Sequence, residues 1–126
     1  MTTLAAQRRV TRDFIRDDPT EVVLTPYTET ITDGGGRAFA PGSPRAPQTF
    51  KLIPMTFDQR PTVTAGGVER IIDYTLLGTW DCEGDVWDRF TLDNPNEYFL
   101  IVAITNEHGY SRKFLCERHF SKDGVV

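Results

Sequence analysis

The chain has 126 residues, 39% of them apolar, and a formal net charge of −4. That is one domain's worth, able to bury about two-thirds of its extended surface without disulfides or metals. No apolar run approaches the ~18 residues of a membrane helix, MTTLAAQRRV lacks the apolar stretch of an export signal, and a pI near 5.1 excludes a globally basic nucleic-acid coat.

The first 18 residues predict a helix. Ala5, Ala6, Gln7, Arg8 and Arg9 are good helix formers. Thr2 or Thr3 supplies an N-cap hydroxyl, and Pro19 stops the helix by disfavouring helical geometry at Asp18. Ala6, Val10 and Phe14 step by four and form a thin apolar stripe, with Arg8, Arg9, Arg12 and Arg16 beside and opposite it. A helix this polar is expected on a surface, its own domain's or a neighbour's. Arg8, Arg12 and Arg16 share a face; with a buried Phe14 as anchor they make the helix a candidate docking element for an acidic neighbour.

Glu21–Tyr27 (EVVLTPY) reads as a short strand that Pro26 confines to an edge or an end. Residues 28–47 (TETITDGGGRAFAPGSPRAP) hold four glycines, three prolines and few large apolar residues. Such a stretch is expected to be a long interaction loop, mobile until neighbours order it. Thr28–Thr32 and the residues near Phe39 can pair as a loose hairpin across Asp33-Gly34-Gly35-Gly36. Asp33, Gly34, Gly35, Gly36, Arg37 and Phe39 are therefore candidate partner contacts, with Arg45 expected in the open remainder.

Four more strand signals follow. Gln48–Met55 alternates. Val68–Leu77 is the longest, with Ile72, Tyr74 and Leu76 on one face. Glu97–Thr105 is nearly all apolar, and so is expected to be central and covered on both faces. Tyr110–Phe120 puts Tyr110, Phe114, Cys116 and Phe120 on one face, after a four-residue connection Asn106-Glu107-His108-Gly109. With no second helix pattern, residues 1–126 read as a single, mainly β domain: a small antiparallel β-barrel or sandwich with a short N-terminal α-helix and a long Gly/Pro-rich loop.

Little in the chain points to chemistry. Cys116-x-x-His119, completed by Cys82 or His108, has the ligand types of a zinc site. On a strand, however, positions three apart face opposite ways; Cys116 is expected in the core, His119 at the surface, and no metal between them. Two free thiols suit a reducing compartment. The segment Gly78–Asn96 sets Asp81, Glu83, Asp85, Asp88 and Asp93 against Arg89. Its D-x-E-x-D run lacks the glycine and glutamate of a calcium loop, so these are expected as solvated turn residues. Their charge should disfavour a Cys82 thiolate, and Trp80 or Trp87 should pack on the barrel. There is no G-x-S-x-G, and Gly34-Gly35-Gly36-Arg37 lacks the G-K-[ST] ending of a phosphate loop. No enzyme activity and no cofactor are expected.

Taken in order, the elements resemble a known family. A short arginine-rich helix (R-R-x-T-R-x-F-I from Arg8) leads through Asp17-Asp18-Pro19 into Val22–Tyr27, and a Gly/Pro loop runs on to T-F-K-L-I-P at Thr49–Pro54. Then come Val68–Leu77, a Trp-containing acidic turn (Gly78-Thr79-Trp80-Asp81, Gly84-Asp85) and the apolar strand Tyr98–Ile104. Over residues 8–120 this is similar to the head-closure proteins, or head-to-tail stoppers, of long-tailed double-stranded DNA phages, particularly actinobacterial siphophages. The resemblance implies a virion protein made in the host cytoplasm and resident in the neck. It would form a ring with copies of itself that closes the DNA exit channel after packaging. Its partners would be the adaptor and portal rings and tail-side neck or tail-terminator proteins. Packaged DNA would pass without specific binding, and no membrane would be involved. The family has no catalytic signature to transfer. A tail-terminator or tail-completion protein with a similar barrel is the alternative, and a small metal-dependent enzyme on Cys82, Cys116 and the acidic turn a more distant one.

Overall fold

The computed structural model describes residues 3–31, 34–55, 62–65, 67–94, 96–107 and 109–120. Asp33 and His108, two residues singled out above, lie outside them. The helix, α1 (Leu4–Asp17), opens at Thr3, whose hydroxyl oxygen accepts the Ala6 N–H at 3.1 Å. It closes at Asp18, whose N–H donates to the Ile15 carbonyl, one residue before Pro19. The predicted stripe is displaced by one position. Thr11 and Ile15 are the buried residues, while Val10 and Phe14 are 65% and 49% exposed. The cause is tertiary: α1 lies across β4 and β7, and the branched Ile15 fits that surface while Phe14 stays at its rim.

Among the described residues ten strands follow: β1 (Thr20–Val22), β2 (Tyr27–Ile31), β3 (Arg37–Pro41), β4 (Gln48–Pro54), β5 (Thr62–Ala65), β6 (Val68–Ile71), β7 (Tyr74–Thr79), β8 (Arg89–Phe90), β9 (Glu97–Glu107) and β10 (Ser111–Phe120). Six form one curled antiparallel sheet in the order β1-β4-β7-β10-β9-β8, while β2–β3 and β5–β6 are separate hairpins. The mainly β expectation holds: the curled sheet is a half-barrel with one short helix packed on it. Its two edges meet at a seam just past β1, where Thr25 and Arg89 exchange both backbone hydrogen bonds at 2.9 Å.

Alternation along the strands builds a core on each face. The inner one takes residues from all six strands, among them Val22, Phe50, Leu76, Phe90, Phe99, Ile101 and Phe114, together with Leu24. Phe50 and Phe114 meet edge to face at 5.7 Å, and Phe90 stacks on Phe99 at 5.1 Å. A second cluster, Ile72, Leu100 and Val102 with Met55, Trp87 and Leu115 against it, lies on the opposite face. β9 is therefore covered on both sides, as its apolar run predicts, although it sits next to the edge strand β8 rather than at the centre. A register shift also explains its length. Leu115 pairs with Ala103 and Cys116 with Ile101, so Val102 is an extra residue, and Ile101 and Ile104 both reach the inner core.

Four strand expectations need correction. Glu21–Tyr27 is not one strand: β1 ends at Val22 and Tyr27 opens β2, with Pro26 between them. Val68–Leu77 is two strands, broken at Ile72–Asp73. There Asp73 donates its N–H to the Cys116 carbonyl, accepts the Met55 N–H at its own carbonyl, and takes the Arg118 N–H on its carboxylate. The break lets β6 leave the sheet for β5 and divides Ile72 and Leu76 between the two cores. The β9–β10 connection is shorter than four residues, because Asn106 and Glu107 still pair with Arg112 and Ser111; Gly109 supplies the left-handed position at φ 81°. Phe120 is 70% exposed, since β10 outruns the core that holds Phe114 and Cys116.

Gly78 is set by packing. A Cβ there would lie 2.6 Å from Cys82 Sγ and 2.8 Å from a Phe50 ring carbon. Gly78→Ala is expected to cost about 1–3 kcal/mol, read as a lower urea midpoint with an unchanged denaturant slope.

Candidate functional site

The α1 residues named as a docking face divide into two pairs. Arg8 turns back onto its own domain: its Nε donates to the Gly109 carbonyl at 3.1 Å, and its guanidinium lies 3.9 Å from the Trp80 ring centre. Phe14 receives Lys51 Nζ at 4.1 Å from its ring. Arg12 and Arg16 face solvent, Arg16 loosely paired with Asp13 at 3.9 Å. The helix is held on its own sheet through Thr11 and Ile15. That leaves Arg12 and Arg16 as the outward cations of the predicted face.

The second candidate region is the insertion between β1 and β4. Residues 27–31 and 37–41 pair in register, Glu29 opposite Phe39 and Ile31 opposite Arg37, so the first half is a hairpin. Gly34, Gly35 and Gly36 lie in its turn, with Gly35 at φ 80°, a backbone position that suits glycine. Phe39 is half exposed. The base of the hairpin rests on Arg89, whose guanidinium carbon lies 4.1 Å from the Tyr27 ring centre, 4.8 Å from Tyr98 and 5.7 Å from Phe39. The rest of the insertion returns as a strap: Gly42 N–H donates to the Pro26 carbonyl at 2.7 Å and Arg45 N–H to Leu24 at 2.8 Å.

Arg45, expected in open loop, is the clamp of this strap. Its Nε donates to Asp88 Oδ2 at 2.9 Å and its Nη2 to Asp85 Oδ2 at 3.0 Å. Asp88 is only 2% exposed, not the solvated turn residue predicted, and also accepts the Asp85 N–H. The Asp88 hydrogen bond is the largest influence raising Arg45 above its ordinary value. Sequence reasoning missed both partners, because a carboxylate among carboxylates and an arginine among prolines look equally solvated. The helix face on β4 and β7 and the hairpin at β8 are separate surfaces, not one site.

The chemical candidates lie apart as well. Cys116 is fully buried in the inner core; His119, on the opposite face, pairs with Glu117 and stacks on Tyr98 at 5.2 Å. Arg70 reaches the same Glu117 at 2.8 Å. Among the described residues no three His, Cys, Asp or Glu side chains are grouped as a metal would require. Trp87 packs on the second core, its backbone in the left-handed region at φ 78°. Cys82 is a core residue rather than part of an open turn, and its thiol is pushed up to about 11, first by burial and only secondarily by Asp81, with Arg112 opposing. Burial likewise raises the Cys116 thiol. No protein-family model matches the chain, and no curated protein matches it in sequence.

Two measurements follow from this geometry. Arg45→Ala leaves a buried carboxylate without its cation and is expected to cost about 3 kcal/mol in urea denaturation. Asp85→Ala, which removes only the exposed partner, should cost under about 1 kcal/mol. The thiols give a pH signature. Unfolded thiols ionise near 9 while the folded Cys82 stays protonated to about 11, so the unfolded chain binds fewer protons in between. Stability should therefore be full below pH 9 and fall above it by about 1.4 kcal/mol per pH unit for each such thiol. Cys82→Ser should remove its share of that slope.

Proposed function

We propose that the chain is a ring-forming head-closure subunit in the neck of a long-tailed double-stranded DNA phage. In that role it closes the exit channel after packaging and joins head to tail. The observation that carries this reading is the insertion at residues 27–47. A half-barrel that needs only a short turn between β1 and β4 instead carries a hairpin with an exposed Phe39, its base clamped to the seam by Arg89 and Arg45. A projecting arm on a rigid base suits a subunit that reaches a neighbouring copy or the next ring. The solvent-facing Arg12 and Arg16 of α1 supply a second, electrostatic contact toward an adaptor, portal or tail-side ring.

The charge balance supports the same role. A net charge of −4 repels phosphate, so duplex DNA slides past such a wall without sticking. Among the described residues no helix is long and apolar enough to cross a membrane.

Electron microscopy of isolated virion necks tests the reading directly: a ring of this chain between adaptor and tail is the expected result. Density at the tail's own end would make it a terminator instead, and absence from the particle would overturn the proposal. Arg12→Glu with Arg16→Glu should leave the melting temperature near wild type, because both side chains are exposed, yet yield DNA-filled heads without tails. Normal infectious particles from this variant would remove the helix from the assembly contact.

A further inference from the structure

We propose that the cleft between the start of α1 and the β9–β10 connection binds a carboxylate of an acidic peptide segment from a partner protein. The cleft measures about 460 Å³ and is lined by Arg8, Trp80, Asn106, Gly109, Ser111 and Arg112. Among the described residues, its lining holds two cations and no carboxylate. The nearby Asp81 is turned to the Thr79 hydroxyl at 2.8 Å.

Both guanidinium groups are held in place by protein acceptors. Arg8 commits its Nε to Gly109 and rests on Trp80; Arg112 commits its Nε to Asn106 Oδ1 at 3.2 Å and its Nη1 to the Cys82 carbonyl. A guanidinium carries five N–H donors, so each keeps donors beyond these for a ligand, in planes already fixed. Charge-assisted bonds from preset planes are the geometry that recognises a carboxylate. An anion there also relieves the repulsion between two neighbouring cations.

A second cleft of about 240 Å³ begins at the shared Ser111 and is lined by Val10, Phe14, Leu77 and Tyr110, with Thr11 and Lys113 beside them. It suits an aliphatic or aromatic side chain next to the acidic one. The apolar share of that lining, Val10, Phe14 and Leu77, favours a peptide over a polyphosphate, which offers no side chain to fill it. The inference concerns the subunit itself and stands whatever assembly the subunit joins.

The test is an NMR titration of the ¹⁵N-labelled full chain with three probes: a capped peptide alternating Glu and Leu, its twin with Gln for Glu, and oligothymidylate of the same length. The Glu peptide should give saturable shifts at the Trp80 indole N–H and the Gly109 and Ser111 amides, with the Gln twin weaker by about ten-fold or more. Arg112→Gln should weaken the Glu peptide by about five-fold or more, while Arg118→Gln, an exposed cation beside Phe120 at the far end of β10, leaves it unchanged. If Arg112→Gln fails to fold, Arg8→Gln supplies the same comparison, and the shift map on the unaltered chain stands on its own. Equal binding of the Gln twin, shifts centred elsewhere, no saturation, or tighter binding of oligothymidylate would each overturn the proposal.

Discussion

A buried carboxylate must be answered by a cation, and here the cation arrives on the far end of the longest insertion in the chain. Asp88 lies at the lip of the half-barrel, beside the bridge between Thr25 and Arg89 that joins its two edges. Arg45 reaches it at 2.9 Å from the strap that runs back along Leu24 and Pro26. Asp88 is not tolerable there alone, since an unpaired buried charge costs far more than the pair returns. The pairing fixes where the strap lies, the strap fixes where the hairpin β2–β3 stands, and the bridge fixes the curl of the sheet around its aromatic core.

The same lip shows how one residue can serve two layers. The Arg89 backbone makes the seam bridge, while its guanidinium lies among Tyr27, Tyr98 and Phe39. The hairpin is thus attached to the edge strand by a flat cation between rings, a contact that tolerates small tilts without breaking. An arm mounted in this way can adjust to a neighbour while its base stays in register. This is the mechanical property the neck proposal asks of it.

Much of this architecture was legible in residue patterns. The Thr3 cap and the Pro19 stop bracket α1. The apolar run of β9 announces two-sided burial, and the Asp-Gly-Gly-Gly turn announces a hairpin. What was illegible was set by partners distant in sequence. The helix buries Ile15 rather than Phe14 because the groove it meets, not its own periodicity, selects the face. Val68–Leu77 has strand composition throughout, yet Asp73 is claimed by Cys116, Met55 and Arg118 and splits it. The candidate contacts on the hairpin lay where glycine and proline suggested, but Arg45, Asp88, Arg89 and Arg112 became visible only in three dimensions. Charged side chains look solvated in a one-dimensional reading unless a partner is in view.

The seam has a kinetic consequence. β9 and β10 meet across three residues and can zip early, whereas Thr25 and Arg89 are separated by half the chain. Closing so long a loop costs entropy before any contact rewards it. The lip of the half-barrel is therefore the last part to form and the first to open. Interactions absent from the folding transition state govern how long a native molecule lasts rather than how fast it appears. Weakening the lip should raise the unfolding arm of a chevron at unchanged slope and leave the refolding arm in place. The lifetime of the folded chain thus rests on a few residues around one bridge, while its rate of formation belongs to the hairpins on the other side.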